Sequence, residues 1–218
     1  MKIDSLRPRR WQAGFSLIEL LIVIAIILVV SAMAMPSIMV SINQIQLRSS
    51  MRDVIGLMQQ ARQSAVKNNA FYRLGVSGNT VYIDFNNDGI FQSGGANCPG
   101  ANCTPPEFAV QLPNNVTLQP NGAPAFPNAL AGANFNPQPV NVPPAFNARG
   151  LPCVIVAGAC NSRSGAAVPG ASGANVAFLY FYTQQRTFGP QGWAAITVTP
   201  AGRMKSWMYE PRTATWSD

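Results

Sequence analysis

The hydrophobic pattern of the chain changes period twice. From Phe15 to Met35 run 21 residues whose only strongly polar member is Glu19. At ~1.5 Å per residue that is long enough for a helix to cross a hydrocarbon core of about 30 Å. After Pro36 the pattern becomes one-sided: Leu47, Met51, Val54, Met58, Ala61 and Ala65 recur at spacings of 4, 3, 4, 3 and 4. This is one face of an amphipathic helix, and Arg48, Arg52, Asp53, Gln59, Arg62 and Gln63 fill its other faces. The stripe predicts a spine onto which a sheet packs. The helix is expected to fade at Asn68-Asn69, where two poor helix formers meet.

Beyond that point the period shortens to that of strands. Phe71 to Val76 and Thr80 to Phe85 flank Ser-Gly-Asn, a hairpin signal. Glu107 to Leu112 and Val116 to Gln119 bracket Pro-Asn-Asn, and four further strands are expected at Cys153 to Ala157, Asn175 to Thr183, Trp193 to Thr199 and Arg203 to Tyr209. The last two are joined by Pro-Ala-Gly, a tight turn. The pattern predicts an α+β chain: a long N-terminal α-helix, transmembrane over 15–35 and amphipathic over 36–68, packed on an antiparallel β-sheet head over 69–218. Phe91 to Gly150 and Ser162 to Gly173 are rich in Pro, Asn, Gly and Ala and read as long loops.

Composition sharpens this picture. Charged residues are 11% of the chain against 48% hydrophobic, and the formal net charge is +7. Four of the 15 basic residues, Lys2, Arg7, Arg9 and Arg10, lie before Phe15 with only Asp4 to oppose them. Basic residues ahead of the apolar run, with few charges soon after it, place the N-terminus on the cytoplasmic side and the head outside. There is no histidine, which excludes Ser-His-Asp and Cys-His nucleophiles and His-ligated zinc. No cofactor is expected and a non-enzymatic role is preferred. Cys98, Cys103, Cys153 and Cys160 fall in two local pairs, as disulfides in an oxidising compartment would; of the three possible connectivities the short loops favour Cys98 with Cys103 and Cys153 with Cys160. An all-cysteine zinc site is the competing reading, for which gaps of four and six residues are loose.

Two features of the N-terminus do not suit a plain anchor. A carboxylate well inside a bilayer costs ~2.5 to 3.5 kcal/mol on insertion scales, and the small residue Gly14 precedes the apolar run, whereas a secretory signal carries its small-residue cleavage site after it. An Ala-x-Ala-like step near Ala34 would serve an ordinary signal peptidase but explains neither Gly14-Phe15 nor Glu19. Cleavage between Gly14 and Phe15 explains both. It creates an α-amine one helical turn from Glu19, and in parallel, staggered helices Glu19 of one subunit would neutralise the Phe15 amine of the next.

The basic leader ending in Gly14, followed by Phe15-Ser16-Leu17-Ile18-Glu19-Leu20-Leu21, resembles the class III signal of type IV pilins and type II secretion pseudopilins. The resemblance implies a pilin fold, cleavage after Gly14 by a prepilin peptidase in the inner membrane, N-methylation of Phe15, and polymerisation with other pilins through the helix. Pro36, 22 residues into the mature chain, matches a position where many pilins carry a helix breaker. In the head, LPNNVTL, AFNARGLP and ITVTPAGRMKSW resemble the GspH/FimT group of minor pilins and pseudopilins. A minor pilin is therefore the preferred reading, with a secretion pseudopilin as the alternative.

Two further motifs raise binding questions. Asp84, Asn86 and Asp88 stand where the first oxygens of a calcium loop would, followed by Gly89, but Gly95 occupies the place of the closing bidentate acid. Asx-rich turns are common without any ion. Gly-Arg-Met-Lys at 202–205 resembles the turn implicated in DNA binding by FimT-like pilins. Arg186, Arg203, Lys205 and Arg212, interleaved with Trp193, Trp207, Tyr209 and Trp216, would then form a basic aromatic patch for nucleic acid. The competing reading is a solvated hairpin whose basic residues protect a sheet edge.

Overall fold

A computed structural model describes residues 15–91, 108–119, 121–127, 136–137, 144–156, 159–161, 178–187 and 189–217. One helix, α1 (Leu17–Lys67), is followed by strands β1 (Tyr72–Ser77), β2 (Thr80–Asp84), β3 (Ala109–Gln111), β4 (Val116–Leu118), β5 (Asn136–Pro137), β6 (Ala145–Phe146), β7 (Pro152–Val156), β8 (Ala159–Asn161), β9 (Phe178–Gln184), β10 (Gly192–Val198), β11 (Met204–Glu210) and β12 (Thr215–Ser217). The α+β expectation holds: a long N-terminal helix precedes antiparallel sheets. The chain divides into two compact units, Met1–Met39 and Val40–Asp218.

In the first unit α1 is apolar all round. Every described side chain from Phe15 to Met35 is exposed, including Phe15 at 81% and Leu17 at 82%. By length and composition this segment suits a single-pass membrane anchor. The helix also runs through Pro36 without a break in its assignment, so the helix breaker anticipated there does not end it. Next to the proline, the Ser37 hydroxyl donates to the Ala34 carbonyl at 2.9 Å, an i−3 bond that folds the hydroxyl back onto its own helix.

In the second unit all six residues of the anticipated stripe, Leu47, Met51, Val54, Met58, Ala61 and Ala65, are 1% exposed or less. They share one core with Leu74, Val81 and Ile83 from β1 and β2, and with Phe178, Tyr180, Tyr182, Ala194, Ile196 and Val198 from β9 and β10. The helix ends as its asparagines suggest. Asn69 takes a left-handed conformation (φ 48°), the Ala70 N–H donates to the Ala65 carbonyl at 3.1 Å and the Asn69 N–H to that of Val66 at 3.4 Å. This is a Schellman cap with asparagine in the usual glycine position.

The expected single sheet is two. One runs in the order β3-β2-β1-β6-β7-β8; the other runs β12-β11-β10-β9-β4, with β5 parallel beside β9. Strands β5, β6, β8 and β12 are only two or three residues long and, unlike the equally short β3 and β4 on either side of Pro-Asn-Asn, have no longer alternating run around them to mark them. The β9–β10 pair is buried along its whole length, because its second face carries a separate cluster of Leu179, Phe181, Trp193, Ala195, Trp207 and Trp216, against which Phe126 packs.

Candidate assembly helix and head surfaces

At the start of α1 the Ser16 carbonyl accepts the N–H groups of Glu19 at 3.1 Å and Leu20 at 3.2 Å, so Glu19 lies in the first helical turn. A carboxylate there is favoured by the positive end of the helix dipole. It is exposed, and among the described residues it forms no ion pair. Within one chain, therefore, the acid is one helical turn from the place a new Phe15 amine would occupy. Gly14 lies outside the described residues.

Asp84 is fully buried and its Oδ2 accepts the Arg73 Nε–H at 2.6 Å and the Gly89 N–H at 2.8 Å. Asn86 Oδ1 accepts the Asp88 N–H at 3.2 Å, Asp88 Oδ1 accepts the Ile90 N–H at 2.7 Å, and Asp88 Oδ2 accepts the Asn86 amide at 2.8 Å. Asp84 Oδ2, Asn86 Oδ1 and both Asp88 oxygens are thus engaged by N–H donors, Asp84 Oδ1 is buried without a hydrogen-bond partner, and the cation beside Asp84 is a guanidinium. The arrangement is an Asx-turn loop locked onto the sheet by an arginine. The Arg73–Asp84 pair was missed in the sequence but its signal was present. Around the two-residue turn at Gly78-Asn79, Ser77 pairs with Thr80, and the same register places Arg73 opposite Asp84.

Cys153 and Cys160 form a disulfide between β7 and β8, with Cα atoms 5.4 Å apart, as the local pairing predicted. Cys98 and Cys103 lie outside the described residues.

The four basic residues proposed for nucleic acid are not brought together. Arg203 and Lys205 follow the β10–β11 turn, while Arg186 precedes β10 and Arg212 lies in the β11–β12 turn. The two pairs are at opposite ends of a seven-residue strand, roughly 20 Å apart at ~3.3 Å per residue. Arg186 is half-buried; desolvation lowers its pKa and the nearby Glu210 carboxylate opposes that shift. It donates to Gln184 Oε1 at 3.1 Å and the Pro190 carbonyl at 3.5 Å.

Nor do the tryptophans form a stacking platform. Trp193, Trp207 and Trp216 are all buried. The Trp207 indole N–H donates to Thr197 Oγ1 at 3.0 Å and that of Trp216 to the Ala125 carbonyl at 3.1 Å, while the Phe126 ring stands 5.8 Å and 5.4 Å from their centroids. Lys205 Nζ sits 4.2 Å from the Trp207 ring, a cation–π contact within the head. The sequence reading erred because alternate positions on β11 point to two different cores, and period alone does not say that both faces are covered.

The Gly-Arg turn has a structural use. Gly202 (φ 76°) and Gly150 (φ 72°) occupy the left-handed region. A Cβ on Gly202 would come 2.8 Å from the Gly150 carbonyl oxygen. Arg62 of α1 donates to the Gly202 carbonyl at 3.0 Å, and its Nε lies 3.0 Å from where a Gly150 Cβ would be. The two glycine-bearing stretches that carry the head's family resemblance therefore meet each other across a helix arginine.

With this geometry in place, comparison with known proteins bears on the N-terminus. Residues 12–35 match the prokaryotic N-terminal methylation motif. The match begins just before Gly14, includes Phe15 and Glu19, and ends at the last residue of the apolar run. It gives the chain the N-terminal signal of a type IV prepilin-like protein. No curated protein and no solved structure matches the chain.

Proposed function

We propose that the chain is a minor pilin: a structural, non-enzymatic subunit that is inserted in the inner membrane, cut after Gly14 by a prepilin peptidase, N-methylated at Phe15, and built into a type IV pilus whose assembly it assists. The observation that carries this reading is the methylation motif at residues 12–35, whose described part is the exposed apolar start of α1 with one acid in its first turn. A chain that only needed an anchor has no use for Glu19. In a bundle of like helices Glu19 neutralises the Phe15 amine of a neighbour, both charges leave lipid as a pair, and the Leu, Ile and Val surface goes on packing. The head, outside the membrane, supplies lateral contacts. The local Cys153–Cys160 disulfide suits an oxidising compartment.

The test of maturation is mass spectrometry of the protein recovered from cells that make such filaments. A chain starting at N-methylated Phe15 is expected; a chain that retains residues 1–14, or begins near Met35, overturns the reading. The DNA-binding alternative predicts salt-dependent retardation of DNA by the head. Burial of the three tryptophans and separation of the two basic pairs favour the hairpin as a packing element, so no retardation is expected.

A further inference from the structure

A small cleft opens in the second unit where α1 passes the end of the sheet at which β10 begins and β11 finishes. It is lined by Gln44 and Arg48 of the helix and by Arg186, Trp193, Tyr209 and Glu210, and its volume is about 30 Å³. Since about 10–15 Å³ of such space holds one water-sized group, the cleft has room for roughly two. That is the size of a single carboxylate and far below that of a nucleotide.

Arg186 is bedded into this cleft. Its guanidinium lies over Gly192, where an added Cβ would come 2.5 Å from one terminal nitrogen and 2.8 Å from the central carbon, so any side chain there would displace it. Its bonds to Gln184 Oε1 and the Pro190 carbonyl leave further N–H donors of the guanidinium for a ligand. Gln184 lies on the face of β9 that carries Tyr180 and Tyr182 into the core, and it is fully buried. With its Oε1 taken by Arg186, its Nε2 is buried without a hydrogen-bond partner, and a buried donor left unpaired costs free energy. Arg48 and Glu210 are exposed, and neither takes part in an ion pair among the described residues. Two guanidinium groups therefore line the cleft with one carboxylate, which leaves it positive.

We propose that this cleft is a socket for one carboxylate, presented by an acidic side chain on the head of a different subunit of the filament. The proposal rests on the filament reading above and adds to it a surface and the chemistry of the partner. Three observations converge. The space matches one carboxylate, two arginines from separate elements offer the forked N–H donors that grip such a group, and a buried amide donor beside one of them lacks an acceptor. A second copy of the chain is a poor source of the acid, because with a formal net charge of +7 it brings like charge to the contact. An acidic neighbouring head complements it instead, and charge complementarity of this kind selects the partner more than it adds affinity.

The test has two arms. The first takes the full-length chain in micelles with acetate as the probe, ionic strength held constant with chloride, and reads the thermal unfolding midpoint by circular dichroism. Acetate is expected to raise the midpoint in a saturable way, as a ligand of the native state does, and acetamide, of the same shape without the charge, to leave it unmoved. Arg48→Gln should weaken acetate binding about three-fold, and Glu210→Gln, which removes the competing acid, should strengthen it about three-fold. The second arm uses cells that assemble the filaments and reads the chain in sheared filaments relative to its membrane pool. Arg48→Glu is expected to enter about five-fold less than the parent, while its unfolding midpoint without acetate stays at the parental value. Absence of a saturable acetate effect, or one that both glutamine variants leave unchanged, overturns the socket. Acetate binding together with parental entry of Arg48→Glu chains overturns a neighbouring subunit as the source of the carboxylate. A parent chain confined to the membrane overturns the filament reading itself, and the acetate arm still decides the socket.

Discussion

The two parts of α1 solve opposite problems with one backbone. Up to Met39 nearly every side chain is apolar and exposed; from Val40 on, one stripe is buried at 1% exposure or less while the other faces are mostly polar or charged, with Ile42, Ile45 and Val66 exposed among them. The described side chains of the first part are exposed, as suits a segment that meets lipid. The second is committed to its own head. Apolar residues therefore carry different consequences in the two segments, although their composition looks similar at single positions.

Substitution is the most direct way to break this contrast. Leu47→Ala, in the buried stripe, is expected to destabilise the head by about 3 kcal/mol, through lost transfer energy and the cavity left behind. Ile24→Ala, exposed in the first segment, should leave thermal unfolding of the head unchanged. Equal effects at the two sites would refute the division.

Arg73→Met should cost a similar amount, about 3 kcal/mol, because it strands the carboxylate of the fully buried Asp84. Denaturant titration measures it, and a loss well under 1 kcal/mol would show that the loop at Phe85–Ile90 does not depend on the pair. Gly202→Ala is expected to cost about 2 kcal/mol, combining a left-handed backbone with a Cβ pressed on the Gly150 carbonyl. If the turn is instead solvated and free of Arg62, the cost falls to the conformational part alone.

What the sequence made legible follows the same division. The apolar run, Gly14-Phe15 and Glu19 could be read because their chemistry depends on neighbours in sequence. The buried stripe could be read because a helix repeats its period over many turns. The Arg73–Asp84 pair was recoverable from one turn and strict pairing. The split into two sheets was not, since Ala145–Phe146 and Asn136–Pro137 are too short to show alternation. The burial of Trp207 and Trp216 depends on Phe126, some 80 residues away in the chain, and no local pattern announces such a contact. The same remoteness hid Arg62, whose partner Gly202 is 140 residues distant.

The smallest expected effects sharpen the comparison within the head part of α1. Gly56→Ala should raise stability by roughly 0.5 to 1 kcal/mol, since the new methyl enters open space and the helix gains propensity; a loss would mean that something in the head fills that space. Millimolar calcium should leave the unfolding midpoint unmoved, because Arg73 and backbone N–H groups already engage Asp84, Asn86 and Asp88. A clear stabilisation by calcium would contradict the Asx-turn reading.

One measurement addresses the acid near the start of the mature helix most directly: the fraction of Glu19→Ala chains found in sheared filaments, compared with the parent, after confirming that both are cut before Phe15. Normal cleavage with incorporation reduced at least tenfold is the predicted result, a factor that corresponds to about 1.4 kcal/mol of lost pairing. Incorporation equal to that of the parent would contradict the central claim, because the carboxylate would then have no role in bringing one helix against another.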